Sequence, residues 1–155
     1  MLFRSAAIAE RAGVSERSVF RHFDDLDTLA TAAMERELER SGPLFAAPPP
    51  ADSTAERVAG LVAGRIALYV HIGPVARAAA HHAPNSPVVA DALTFRRELL
   101  RRHVSEHFSI ELAAAPEAER DELLDALDAC ASIEHLDYLC ALRGRTPSDA
   151  GRIVE

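Results

Sequence analysis

The chain has 155 residues, is 48% apolar and 26% charged, and carries a formal charge of −7, a size that fits one domain or a small domain beside a larger one. An acidic balance excludes indiscriminate coating of nucleic acid. No uninterrupted apolar run reaches the roughly 18 residues of a bilayer span, and Met1-Leu2-Phe3 leads straight into a polar, alanine-rich stretch rather than a signal peptide, so the expectation is a cytoplasmic protein with no membrane segment.

Ala, Leu, Arg and Glu dominate, and no alternating Val/Ile/Thr segment is long enough to make a strand, so the predicted fold is all-α. The first unit, residues 1–40, is organised around Ile8 to Phe23. Ile8, Ala9 and Ala12 form an apolar stripe at i, i+1 and i+4. Gly13 supplies the freedom that a tight turn between two helices demands, and Val14 is expected to plug the angle between them. Ser15 is a good N-cap for a second helix, on which Val19 and Phe23 face inward. Arg17, Ser18, Arg21 and His22 are left on the outer side. A short helix presenting those groups fits the DNA major groove, where arginine bonds guanine O6 and N7 or a phosphate. Charge distribution agrees: residues 1–23 hold Arg4, Arg11, Arg17 and Arg21 against Glu10 and Glu16, whereas the rest of the chain holds 13 arginines against 22 acids.

Ser41-Gly42-Pro43, Pro48-Pro49-Pro50 and Asp52-Ser53-Thr54 read as a linker to a larger unit, residues 54–155. Five helices are predicted there. The first runs from about Thr54 to Ile72 and is stopped by Gly73-Pro74. A short second one covers Pro74 to about His82, with proline in its first turn. The third runs from Ser86-Pro87 to Phe108. The fourth starts at Pro116, places Glu117, Glu119, Asp121 and Glu122 at the positive end of its dipole, and continues to about Leu142. The fifth begins at Thr146-Pro147-Ser148-Asp149. Cys130 and Cys140 then share one helix with about 15 Å of rise between them, too far for a disulfide.

Ile8 to Phe23, with the pattern I-A-x-x-A-G-V-S-x-x-S-V-F-x-H-F and an acidic turn after it, resembles the N-terminal helix-turn-helix of the tetracycline-repressor (TetR) family. The likeness covers about 35 residues; the larger unit matches in layout, and Leu139 to Ile153 looks like the junction of the family's last two helices. The resemblance implies a transcriptional regulator and not an enzyme: a repressor released by a small, largely apolar effector, binding a palindromic operator as a homodimer, with no cofactor or metal. By position it makes Ser15, Arg17, Ser18, Phe20, Arg21 and His22 the DNA contacts. Arg17 and Ser18 face base edges; Ser15, Phe20 and His22 lie against phosphate or sugar.

Four departures stand out. The family's first helix, ahead of the motif, is missing, since only Met1 to about Ser5 precedes it. The hydroxyl expected near Arg4 is Ser5, the usual Tyr is Phe20, and the usual Lys before the next helix is Leu26. Each weakens the electrostatic part of binding. The chain is then a fragment, has a misassigned start, or is a degenerate member, and the alternative function is a helical ligand-binding and dimerisation module that has lost DNA binding.

The resemblance also implies an effector pocket among the helices at 55–72, 86–108 and 116–142. Polar or soft groups beside apolar stripes there are Tyr69, His103, His107, Cys130, His135 and Tyr138, suited to hydrogen-bonding a mostly apolar ligand. His103 and His107, four apart on one face, also have the spacing of a metal pair, with His81 and His82 as further donors. No nucleophile with a base and orienting group accompanies them, which argues against a metal-dependent enzyme.

Overall fold

The structure, a computed structural model, describes residues 5–46 and 51–155. Within them every regular element is helical, as expected. Arg4 and the Met1-Leu2-Phe3 segment, like the Pro48-Pro49-Pro50 part of the predicted linker, lie outside the described residues.

Helix α1 (Ser5–Ala12) and helix α2 (Glu16–His22) are joined as the sequence suggests. Gly13 takes the left-handed conformation, φ 70°. Its N–H bonds Glu10 O at 3.1 Å and the Val14 N–H bonds Ala9 O at 3.0 Å, the paired return bonds of a Schellman motif. Ser15 then caps α2 by accepting from Ser18 N. Ala9 and Val19 are the buried residues of the pair, and Ser5 Oγ donates to Glu16 Oε2 at 3.1 Å across it. Val14, expected to plug the interhelical angle, is instead 47% exposed. The Schellman turn carries it past the end of α1, and the small Ala9 lets α1 and α2 close without it.

Asp25 caps helix α3 (Leu26–Ser41) through Thr28 N at 2.7 Å. Part of the predicted linker is structured: Ser41 is fully buried, and Gly42–Phe45 forms a 3-10 turn whose Leu44 and Phe45 pack on the main core.

Helix α4 (Thr54–His82) overturns the predicted stop at Gly73-Pro74. Pro74 removes one N–H and crowds the carbonyl of residue 70, but the 29-residue helix continues through it. Packing outweighs this local penalty. Leu68, Ile72 and Ala76, before and after the proline, are all buried in one cluster with Leu100, Ile133 and Leu136. Gly73 has its own reason: a Cβ there would stand 2.9 Å from Tyr69 Cε2, so the tyrosine ring occupies the space a side chain would need. The segment Thr54–Asn85 is long and apolar enough to cross a membrane by length and composition, a test that a buried core helix also passes. In this fold it is the helix around which the others pack, with Arg57 and Arg65 buried on it.

Ser86 caps helix α5 (Pro87–His107), close to expectation. After Phe108 the chain forms a further helix, α6 (Ser109–Ala114), beyond the five expected in this unit. The single helix predicted from Pro116 to Leu142 is broken. Helix α7 (Arg120–Cys130) ends at Ala131, Ser132 turns extended and caps helix α8 (Ile133–Asp137), and Tyr138–Leu142 forms a π turn. The break lets two core clusters be filled by one segment. Ala131 packs with Leu61, Val104 and Phe108, while Ile133 and Leu136 reach the cluster around Leu68. Burying Leu68, Ile133 and Leu136, each under 2% exposed, contributes roughly 1.5–3 kcal/mol apiece. Cys130 and Cys140 are free thiols on separate elements. Helix α9 (Pro147–Val154) opens with a Thr146–Asp149 capping box and packs on α4.

Candidate nucleic-acid interface and apolar cavity

Residues of α2 divide cleanly. Val19 is turned inward, while Arg17, Arg21 and His22 are exposed. Arg17 makes no hydrogen bond or ion pair among the described residues, so its guanidinium is open to a base edge or phosphate. Arg21 Nη2 lies 3.5 Å from His22 Nε2, placing a second cation and the imidazole side by side. The Ser15 and Ser18 hydroxyls are 2.9 Å apart, and Ser15 Oγ also accepts Ser18 N, so both are spent in part on starting the helix. Phe20 is 44% exposed rather than absorbed in the core. All six sequence-predicted contacts therefore fall on one short segment, five of them exposed and Ser18 half-buried.

That segment is connected to the body through α3. Phe23 ends α2 in an extended conformation, and α3 begins three residues later. Along its length α3 packs against α4 and α5. Ser86 Oγ, at the start of α5, donates to Asp27 Oδ1 at 2.7 Å. Further on, Glu37 Oε1 lies 3.2 Å from His71 Nε2 of α4 and accepts from Ser41 Oγ at 3.1 Å.

Between α3, α4 and α5 is a cavity of about 310 Å³, at the small end of the usual range for ligand pockets. Met34, Ile72, Ala76, Leu93 and Leu99 make much of its wall, and the exposed Leu38, Val75 and Phe95 stand at its rim. Polar groups on the wall are few: Thr31, Glu35, Glu37, Ser41 and Arg96. Arg96 is the cation among them. Its Nη2 donates to Glu134 Oε1 at 3.0 Å, and Arg97 Nε donates to the same oxygen at 2.9 Å. Arg96 Nε is buried and has no acceptor, a state that costs about 1–3 kcal/mol for an N–H taken from water. Burial lowers the Arg96 pKa, an effect that Glu134 only partly offsets. Burial also pushes the Glu134 carboxyl up, but the two arginines and its backbone hydrogen bond more than reverse this and leave it below the ordinary value.

No protein-family model, curated protein or solved structure matches the chain.

None of the six residues proposed from sequence for the effector pocket lines this cavity. Tyr69 is buried and donates its hydroxyl to Asp137 Oδ1 at 3.2 Å; burial and the neighbouring Asp137 raise its pKa. His107 Nε2 is 2.8 Å from Arg57 O, with its ring edge-on to Phe108. His103 is half-buried and its pKa is lowered, by burial first and then by Arg65. His135 Nδ1 is 2.9 Å from Cys130 O across the α7–α8 break. Cys130 and Tyr138 are exposed. Tyr69, His107 and His135 thus have hydrogen-bond partners within the fold itself. Among the described residues no three His, Cys, Asp or Glu side chains converge as a metal-holding group. The polar group sequence reasoning missed is Arg96. Its signal was present: Val89, Leu93, Leu100 and Val104 form the buried stripe of α5, and Arg96 stands inside it, three residues after Leu93 and four before Leu100.

Proposed function

We propose that this chain is a DNA-binding transcriptional regulator similar to the tetracycline-repressor family, whose helical body binds a small molecule. The observation that carries this reading is the α1–turn–α2 unit: a Schellman turn at Gly13, a Ser15 cap, and a second helix that hides Val19 while exposing Arg17, Arg21 and His22. Such a helix in the major groove reads bases through Arg17 and Ser18 and anchors on phosphate through Ser15 and His22, with Phe20 against sugar.

The body supports regulation. The cavity shares α3 with the connection to α2, so a ligand that prefers one seating of α3 on α4 and α5 biases the orientation of the reading helix. Repression relieved by ligand is the simplest outcome of that coupling. A homodimer on a palindromic operator is supported by apolar side chains left exposed near the C-terminal end, Leu142 at 75% and Ile153 at 52%.

A mobility-shift titration against the DNA upstream of the protein's own gene tests the reading. Specific binding is expected to fall steeply with salt, and Arg17→Ala to cost about 1–3 kcal/mol if it reads a base. Equal affinity for that DNA and random DNA at moderate salt overturns it and leaves a helical ligand-binding module without DNA recognition.

A further inference from the structure

We propose that the cavity between α3, α4 and α5 selects a small apolar carboxylate, held head-first by Arg96. The proposal deepens the regulator reading by naming the effector's chemical class, and it rests on that reading only for what the ligand does to DNA binding.

Two guanidinium groups, Arg96 and Arg97, share one oxygen of one carboxylate, Glu134. That cluster keeps one unbalanced positive charge, while the wall's two carboxylates, Glu35 and Glu37, belong to α3, and Arg96 Nε is buried without an acceptor. A planar carboxylate supplies the missing acceptor and the missing charge together, which an alcohol or an alkane does not. A soluble cation has no comparable partner. Glu37 is occupied by Ser41 and His71, and Glu35 is exposed, where water already solvates its charge. Ile72, Ala76, Leu93 and Leu99 then take the apolar remainder of the molecule. The small volume limits that remainder to a short chain or a single ring.

Isothermal titration calorimetry on the full chain, without DNA, with octanoate, octan-1-ol and octylammonium separates the possibilities. Octanoate is expected to bind at least tenfold more tightly than either of the others. Arg96→Met should bring octanoate down to the level of octan-1-ol while leaving octan-1-ol unchanged. Arg97→Met, which removes the surplus positive charge from outside the cavity, should reduce the preference for octanoate without abolishing it, because the unpartnered Arg96 Nε remains. The wild-type series stands by itself should Arg96→Met fail to fold. Equal binding of all three probes, tighter binding of octylammonium, or no binding of any of them overturns the proposal. Adding octanoate to the mobility shift distinguishes the two readings. Octanoate binding with no change in operator affinity sinks the ligand-released regulator and leaves the carboxylate site standing. Specific DNA binding with no octanoate binding does the reverse.

Discussion

Ser86 Oγ donates to Asp27 Oδ1 at 2.7 Å, so the residue that caps α5 also holds the first turn of α3. Ser86 is 1% exposed, and its oxygen accepts from Val89 N at 3.4 Å as well. Ser86→Ala loses a cap and a buried bridge together and should cost about 1–3 kcal/mol in urea denaturation. Asp27→Ala strands the hydroxyl instead. A double-mutant cycle is expected to show a coupling of about 0.5–3 kcal/mol between them. Strictly additive losses would mean that the bond carries no energy between the two helices.

The Glu111 carboxyl on α6 is held down to about 2, first by its hydrogen bonds from Arg57 and then by Thr54, both in the first turn of α4. A carboxyl lowered on folding contributes stability that is complete above its ordinary value near 4.5 and is lost as pH falls toward 2. Glu111→Gln should therefore lower the melting temperature at pH 6, and its gap from the wild type should narrow steadily through that acid window. A gap that stays constant from pH 6 to pH 2 would show that the amide loses packing rather than charge.

Two glycines of α4 offer opposite outcomes. A Cβ at Gly73 would meet the buried Tyr69 ring at 2.9 Å, whereas nothing lies within 4 Å of one at Gly64. Gly64→Ala should stabilise by about 0.5–1 kcal/mol through helix propensity. Gly73→Ala gains the same propensity but must displace Tyr69 and with it the hydroxyl bonded to Asp137, for a net loss of about 1–2 kcal/mol. Chemical denaturation of both variants measures the difference, and equal stabilisation would show that the Tyr69 ring yields freely.

Local chemistry was the legible part of this chain. Gly13, Ser15, Ser86 and Thr146 each announce a turn or cap that depends on a few neighbouring residues, and each performs that role. The expected stop at Gly73-Pro74 and the expected unbroken helix from Pro116 to Leu142 fail in opposite directions for one reason. Whether a helix survives a proline, or breaks at a serine, is decided here by which core cluster the flanking residues must reach. Ile72 and Ala76 need the same cluster, so α4 continues; Ala131 and Ile133 need different ones, so the helix divides. The exposed side chains of α2 were readable because they sit within one short segment. The cavity was not, because it is assembled from three helices, and its polar anchor was hidden as an arginine in an apolar stripe.

The contact of α1 and α2 with one another, closed over Ala9 and Val19, has a kinetic meaning. Little apolar surface secures these two helices, so they form a cooperative unit that opens at a lower free energy than the helices around Leu68. Amide protons of residues 9–12 and 19–22 should exchange with solvent well before those of residues 61–76, and bound DNA should slow the first group selectively. Protection at the global level in both groups would contradict this. Under the proposed function, α1 and α2 meet DNA as a partly fluctuating element that the duplex itself helps to fold, exchanging some affinity for the capacity to fit its groove.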